Sequence, residues 1–148
     1  MNGHCRLGIA IGVAATSLAV LFFKKKKDII KHYGLPNVRA SSMVRHGNTL
    51  YLSGQVPDVT KLEQSDIKEQ TRQTLAKIDN LLAEAGTTKS NILSSQIWVR
   101  SMKDFPAMNE VWNEWVGGED AQKGVRACVE SNMAREACLV EIKVIASI

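Results

Sequence analysis

The sequence predicts an α+β domain, one sheet with two helices on a single face. Three observations lead there. Short β-prone runs come in pairs at both ends of the chain, two stretches of helical periodicity lie between them, and 148 residues leave room for one domain and a tail. Hydrophobic residues make up 45% of the chain, enough for a core and too many for wholesale disorder.

Taken in order, residues 7–23 are free of charge and are followed at once by Lys24, Lys25, Lys26 and Lys27. As a helix this run spans roughly 25 Å against a bilayer core of about 30 Å, and it reads as an N-terminal membrane anchor. Basic flanks stay on the cytosolic side, so the expected location is a membrane-anchored domain facing the cytosol, at the mitochondrial outer membrane or the ER. Residues 1–27 form the anchor and its polybasic flank, 28–40 a linker or frayed first strand broken by Gly34 and Pro36, and 41–148 the folded domain.

Within the domain, residues 43–46 and 49–53 flank Gly47-Asn48 and read as a hairpin. Ser65 and Asp66 offer a helix start, and Ile67, Thr71, Leu75, Ile78 and Leu82 recur at helical spacing until Gly86. Residues 91–100 form the next β-prone run. Asp104 opens a second helix with Phe105, Met108, Val111, Trp112 and Trp115 on one stripe, stopped by Gly117-Gly118. Residues 125–131 and 138–147 are the last two strands, giving the order ββαβαββ. Apolar residues occupy both alternations of the final strand, Leu139 and Ile145 against Val140, Ile142 and Val144, so the uncovered sheet face calls for association.

The formal charge of +4 divides unevenly. The first 27 residues hold Arg6 and the four lysines with no acid, leaving −1 for the rest. Nucleic-acid binding rests on neutralising phosphates, so no nucleic-acid partner is expected. Cys5, Cys128 and Cys138 are an odd set without CxxC spacing, which excludes a disulfide framework or a zinc site. His4, His32 and His46 make no metal-ligand spacing, so neither metal nor cofactor is expected.

Arg126 is the residue that stands out, because an arginine within a β-prone run is costly unless paired or exposed. If the last two strands form a hairpin, Arg126 falls opposite Glu141 on one face, with Cβ atoms roughly 5 Å apart. Two readings stand. The pair is a structural cross-strand salt bridge, or it is a site in which Arg126 forks an anion beside a carboxylate of tunable pKa. Cys128 shares that face, but no histidine lies near it in sequence to activate it. Trp112 and Trp115 read as core before ligand stacking, and Ser53-Gly54-Gln55 as a strand end.

Leu52-Ser53-Gly54-Gln55-Val56-Pro57 resembles the strand-end signature of the Rid (reactive intermediate deaminase, YjgF or RutC-like) family. The resemblance continues through residues 71–86, Asp104-Phe105, Met108-Asn109 and residues 125–129 to Val140-Glu141-Ile142, covering nearly the whole domain. The Asn-x-x-Trp-x-x-Trp pattern is similar to a small divergent branch. The resemblance implies a chorismate-mutase-like fold, a homotrimer with pockets between subunits, and hydrolysis of 2-imino and enamine acids such as 2-aminoacrylate to 2-keto acids and ammonia. By position it implies that Arg126 clamps the substrate carboxylate, Cys128 lines the pocket, Glu141 holds the attacking water and Ser53 sits on the rim. The chain departs from the family where Gly124-Val125 precedes Arg126 instead of a proline, and where residues 38–42 lack an aromatic. Those departures bear on substrate range. The rival readings are a non-catalytic trimer that captures small carboxylates or a partner protein, and a single-strand endoribonuclease.

Overall fold

The computed structural model describes residues 29–34, 39–117 and 123–148. Eight regular elements follow in the order β1 (Ile30–Tyr33), β2 (Met43–His46), β3 (Thr49–Leu52), α1 (Ile67–Glu84), β4 (Ile92–Val99), α2 (Phe105–Val116), β5 (Val125–Glu130) and β6 (Val140–Ser147). They build one mixed sheet of strand order β1-β2-β3-β6-β4-β5. The expected α+β class with two helices on one face is what the chain adopts. β1 is a strand inside the segment read as a linker or frayed strand, and it pairs antiparallel with β2.

Each helix is delimited by its own sequence. The Asp66 carboxylate accepts the Glu69 amide at 2.8 Å and caps α1. Pro106 stands in the first turn of α2, and Gly117 in a left-handed conformation closes it. Leu75, Ile78 and Leu82 of α1 and Met108 of α2 pack on the sheet. Val140, Ile142, Val144 and Ala146 of β6, all fully buried, meet them from the middle of the sheet.

The last two strands do not form the expected hairpin. β5 runs parallel to β4 at the sheet edge, and β6 is inserted between β3 and β4, antiparallel to both. Neighbours in sequence are therefore separated in the sheet by β4. A strand that is apolar on its helix-facing side and eight residues long is better satisfied at the centre, where both edges find hydrogen-bond partners.

The connection that carries the chain from β5 to β6 is fastened by Gln70, a fully buried residue of α1. Its Nε2 donates to the carbonyls of Ala137 (2.9 Å), Ser65 (3.1 Å) and Leu62 (3.2 Å), and its Oε1 accepts the Leu139 amide at 2.8 Å. One amide thus ties two irregular segments to one helix.

The expected membrane-anchored localisation, with the domain facing the cytosol at the mitochondrial outer membrane or the ER, is corrected. Among the described residues no helix is long and apolar enough to cross a membrane. The longest, α1, has 18 residues and carries Lys68, Glu69, Arg72, Lys77 and Asp79. The 7–23 stretch behind the expectation lies outside the described residues.

Replacing Gln70 by leucine leaves the Leu139 amide and the Ala137 carbonyl buried without partners. Loss of about 3 kcal/mol of stability is expected in urea unfolding. An unchanged midpoint would show that the two segments hold without it.

Candidate functional site

Strand alternation decides where each predicted site residue points. In β5, Arg126 is paired with Ser95, and Cys128 with Ile97. Ser95 and Ile97 are buried on the helix-covered face, so Arg126 and Cys128 look towards α2. Glu141 of β6 is paired with Trp98, on the opposite alternation. Arg126 and Glu141 therefore lie on opposite faces of the sheet with β4 between their strands. The expected cross-strand pair does not form within one copy of the chain.

Arg126 is instead held by α2. Its Nη2 donates to Asn109 Oδ1 at 2.7 Å and lies 3.5 Å from Met108 Sδ. The guanidinium carbon stands 4.9 Å from the centre of the Trp112 ring and 5.9 Å from that of Phe105. Among the described residues no carboxylate pairs with Arg126. Burial lowers its pKa, and the nearby Cys128 opposes that shift. An amide and two aromatic faces fix the cation in place and leave its charge uncompensated.

Cys128 is a half-buried free thiol packed against the core. Burial pushes its pKa up from the ordinary thiol value, against the pull of Arg126, so it stays a thiol at neutral pH. That makes it a wall of the site rather than a nucleophile.

On the other face, Gln55 bonds Ile142 in both directions, amide to carbonyl at 2.8 and 2.9 Å. This extends the sheet beyond β3 and lays Gly54 directly over Glu141. A Cβ on Gly54 would fall 2.9 Å from Glu141 Cδ, 3.3 Å from Cγ and closer still to Oε1. Only a glycine leaves the carboxylate that position. Ser53 Oγ donates to the Ser41 carbonyl at 2.6 Å, which pins the segment before β2 beside the same edge. Ser53-Gly54-Gln55, legible in sequence as a strand end, is thus a built wall beside Glu141.

Sequence reasoning paired Arg126 with the wrong side chain and did not single out Asn109 or Gly54 for the site. For Asn109 the signal was its place three residues before Trp112, on one side of α2. For Gly54 the signal was its place in the Ser53-Gly54-Gln55 signature, while the reason for glycine arises from β6 passing beneath it. Trp112 turns out to be both core, at 7% exposure, and a platform for the arginine. Among the described residues no group of His, Cys, Asp or Glu is arranged to hold a metal.

Comparison with known proteins adds a consistent set of likenesses. The family model described as endoribonuclease L-PSP matches residues 35–148. A RutC family protein of Haemophilus influenzae is 43% identical over 113 residues, 76% of this chain and 94% of that protein. The RutC family protein YoaB of Escherichia coli is 40% identical over 110 residues, 74% of this chain and 91% of its own. A crystal structure of a YjgF-family protein from Neisseria meningitidis superposes with a TM-score of 0.74 at 36% identity, covering 82% of this chain and 97% of that one.

The contact of Gly54 with Glu141 is testable without any substrate. Gly54→Ala is expected to displace the Glu141 carboxylate, the end of a flexible side chain, at a cost of about 0.5–1 kcal/mol. In the Glu141→Ala background the same substitution should cost little, because the colliding atoms are gone. A double-mutant cycle in urea reads the coupling, and simple additivity would show that the carboxylate moves aside freely.

Proposed function

This chain belongs to the endoribonuclease L-PSP family, that of the RutC and YjgF proteins, and from that membership we propose that it hydrolyses 2-imino and enamine acids to 2-keto acids and ammonia. The observation that carries the reading is Arg126, a partly desolvated guanidinium fixed over Trp112 with no carboxylate partner among the described residues. Its side chain is exposed at the sheet edge yet held in one orientation, and its planar fork suits a carboxylate.

In the proposed reaction Arg126 binds the substrate carboxylate while the Cys128 backbone and side chain line the pocket. Glu141 holds a water against the imine carbon and takes its proton as the C–O bond forms. Returning that proton to nitrogen gives a carbinolamine that breaks to the keto acid and ammonia. An imine is already electrophilic, so positioning and charge stabilisation do most of the work. No metal or organic cofactor enters this scheme.

The same reading calls for more than one copy of the chain. Arg126 and Cys128 face the helices, whereas Glu141 faces the uncovered side with Ser53 at its rim, so one substrate touches both sets only between neighbours. The uncovered face and its edge strand expose Tyr51 (43%), Val125 (72%) and Val129 (44%), apolar surface that suits association. A homotrimer with three pockets between subunits is the assembly proposed.

The family model's description raises an endoribonuclease as the second reading. The charge of −1 outside the first 27 residues gives a phosphate backbone little to bind. A carboxylate-capturing module without chemistry would have no use for a glycine that makes room for Glu141.

Generating 2-iminopropanoate in situ with an amino-acid oxidase and following its decay tests the proposal. The full-length chain is expected to accelerate decay, Arg126→Ala to lower kcat/KM about 100-fold, and Glu141→Gln to lower kcat by a similar factor. Cys128→Ser should retain activity within about tenfold, since no thiolate takes part. Decay no faster than without protein would sink the deaminase reading and leave the binding module.

A further inference from the structure

Beside Arg126, against the C-terminal half of α2, lies a cleft of about 230 Å³ lined by Lys89, Ser95, Trp112, Asn113, Lys123 and Gly124 together with Arg126 itself. Asn109, which orients Arg126, is not among its lining residues. Trp112, over which the guanidinium lies, is shared with the cleft, so the arginine stands at its border. Lys89 and Arg126 bring two cationic side chains to it, and none of the described lining residues is acidic. Ile92, Val116 and the Trp112 indole give it apolar walls, with the two cations and the buried Ser95 hydroxyl set among them.

Lys89 is presented by the 3₁₀ turn Lys89–Asn91 just ahead of β4. Its ammonium lies 5.5 Å from the centre of the Trp115 ring, a contact that restrains the chain without neutralising the charge. Among the described residues it has no carboxylate partner. The opposite wall at Gly124 is bare backbone, because a Cβ there would lie 2.5 Å from the Ile92 carbonyl oxygen and 2.7 Å from the Leu93 carbonyl.

We propose that this cleft is a second anion subsite, which takes the side-chain carboxylate of a 2-imino dicarboxylic acid while Arg126 holds the carboxylate next to the imine. The proposal rests on the deaminase reading and adds its substrate class. Lys89 is then a specificity residue, which adds binding energy for a second negative charge and none for a neutral side chain.

The stable keto acids allow a test that does not depend on turnover. In calorimetric titration of the full-length chain, 2-oxoglutarate is expected to bind at least about tenfold tighter than 2-oxobutanoate, or about 1.4 kcal/mol. Lys89→Gln should remove that preference and leave 2-oxobutanoate within about twofold, Lys89→Arg should keep it, and Arg126→Ala should weaken both ligands. Equal affinities, a preference that survives Lys89→Gln, or failure of both keto acids to bind would each overturn the subsite. Turnover of 2-iminopropanoate by the same preparation separates the two claims. Turnover without a diacid preference overturns the subsite alone, and a Lys89-dependent preference without turnover overturns deamination alone.

Discussion

The pleat of the two C-terminal strands is the constraint on which this molecule's site depends. Successive residues of a strand point to opposite faces, and β6 uses one face for Val140, Ile142, Val144 and Ala146, all fully buried under the helices. Glu141 has no choice but the other face. β5 meets the same sheet in the register that turns Arg126 and Cys128 towards α2. Shifting β6 by one residue would bring the two charges to one face, but it would also expel the core residues of that strand. The hydrophobic core thus fixes the face of Glu141, and the pairing of β5 with β4 puts Arg126 on the other. Any chemistry that needs both has to be assembled by a neighbour.

This separation changes what Arg126 is. In a cross-strand ion pair its charge would be satisfied at all times, and its net contribution to stability would be small. Held instead between Asn109 and the Trp112 face, it keeps geometry without neutralisation. Lysine could not replace it there, because the fixed orientation relies on a planar group that stacks and donates at once. Cys128 follows from the same placement, since two residues along β5 and half-buried it is kept a thiol by burial rather than activated by the neighbouring cation.

Much of the fold was legible in the chain because local signals and tertiary packing agree. The Asp66 cap, the α2 stripe ending at Gly117 and the Gly47-Asn48 hairpin all stand where periodicity and turn chemistry put them. The topology of the last two strands was not legible, because sequence adjacency suggested a hairpin and nothing in residues 125–147 encodes that β6 passes between β3 and β4. The site inherited that error. Arg126 and Glu141 were assigned to one face, whereas they lie on opposite ones. What Gly54 and Gln70 do lay beyond sequence reasoning for a related reason. Each owes its identity to a segment distant in sequence, β6 beneath Gly54 and residues 137–139 around Gln70. The membrane reading failed differently, since an uncharged run before lysines is a compositional signal that no described helix supports.

The departure at Gly124-Val125 follows from the same geometry. β5 enters the sheet so close to the start of β4 that the position of residue 124 has no space for a Cβ. In this chain a larger residue there would push the entry of β5 away from Ile92 and Leu93. A substitution that looks in sequence like the loss of a rigid residue is, in the folded chain, what lets the edge strand dock this close to β4.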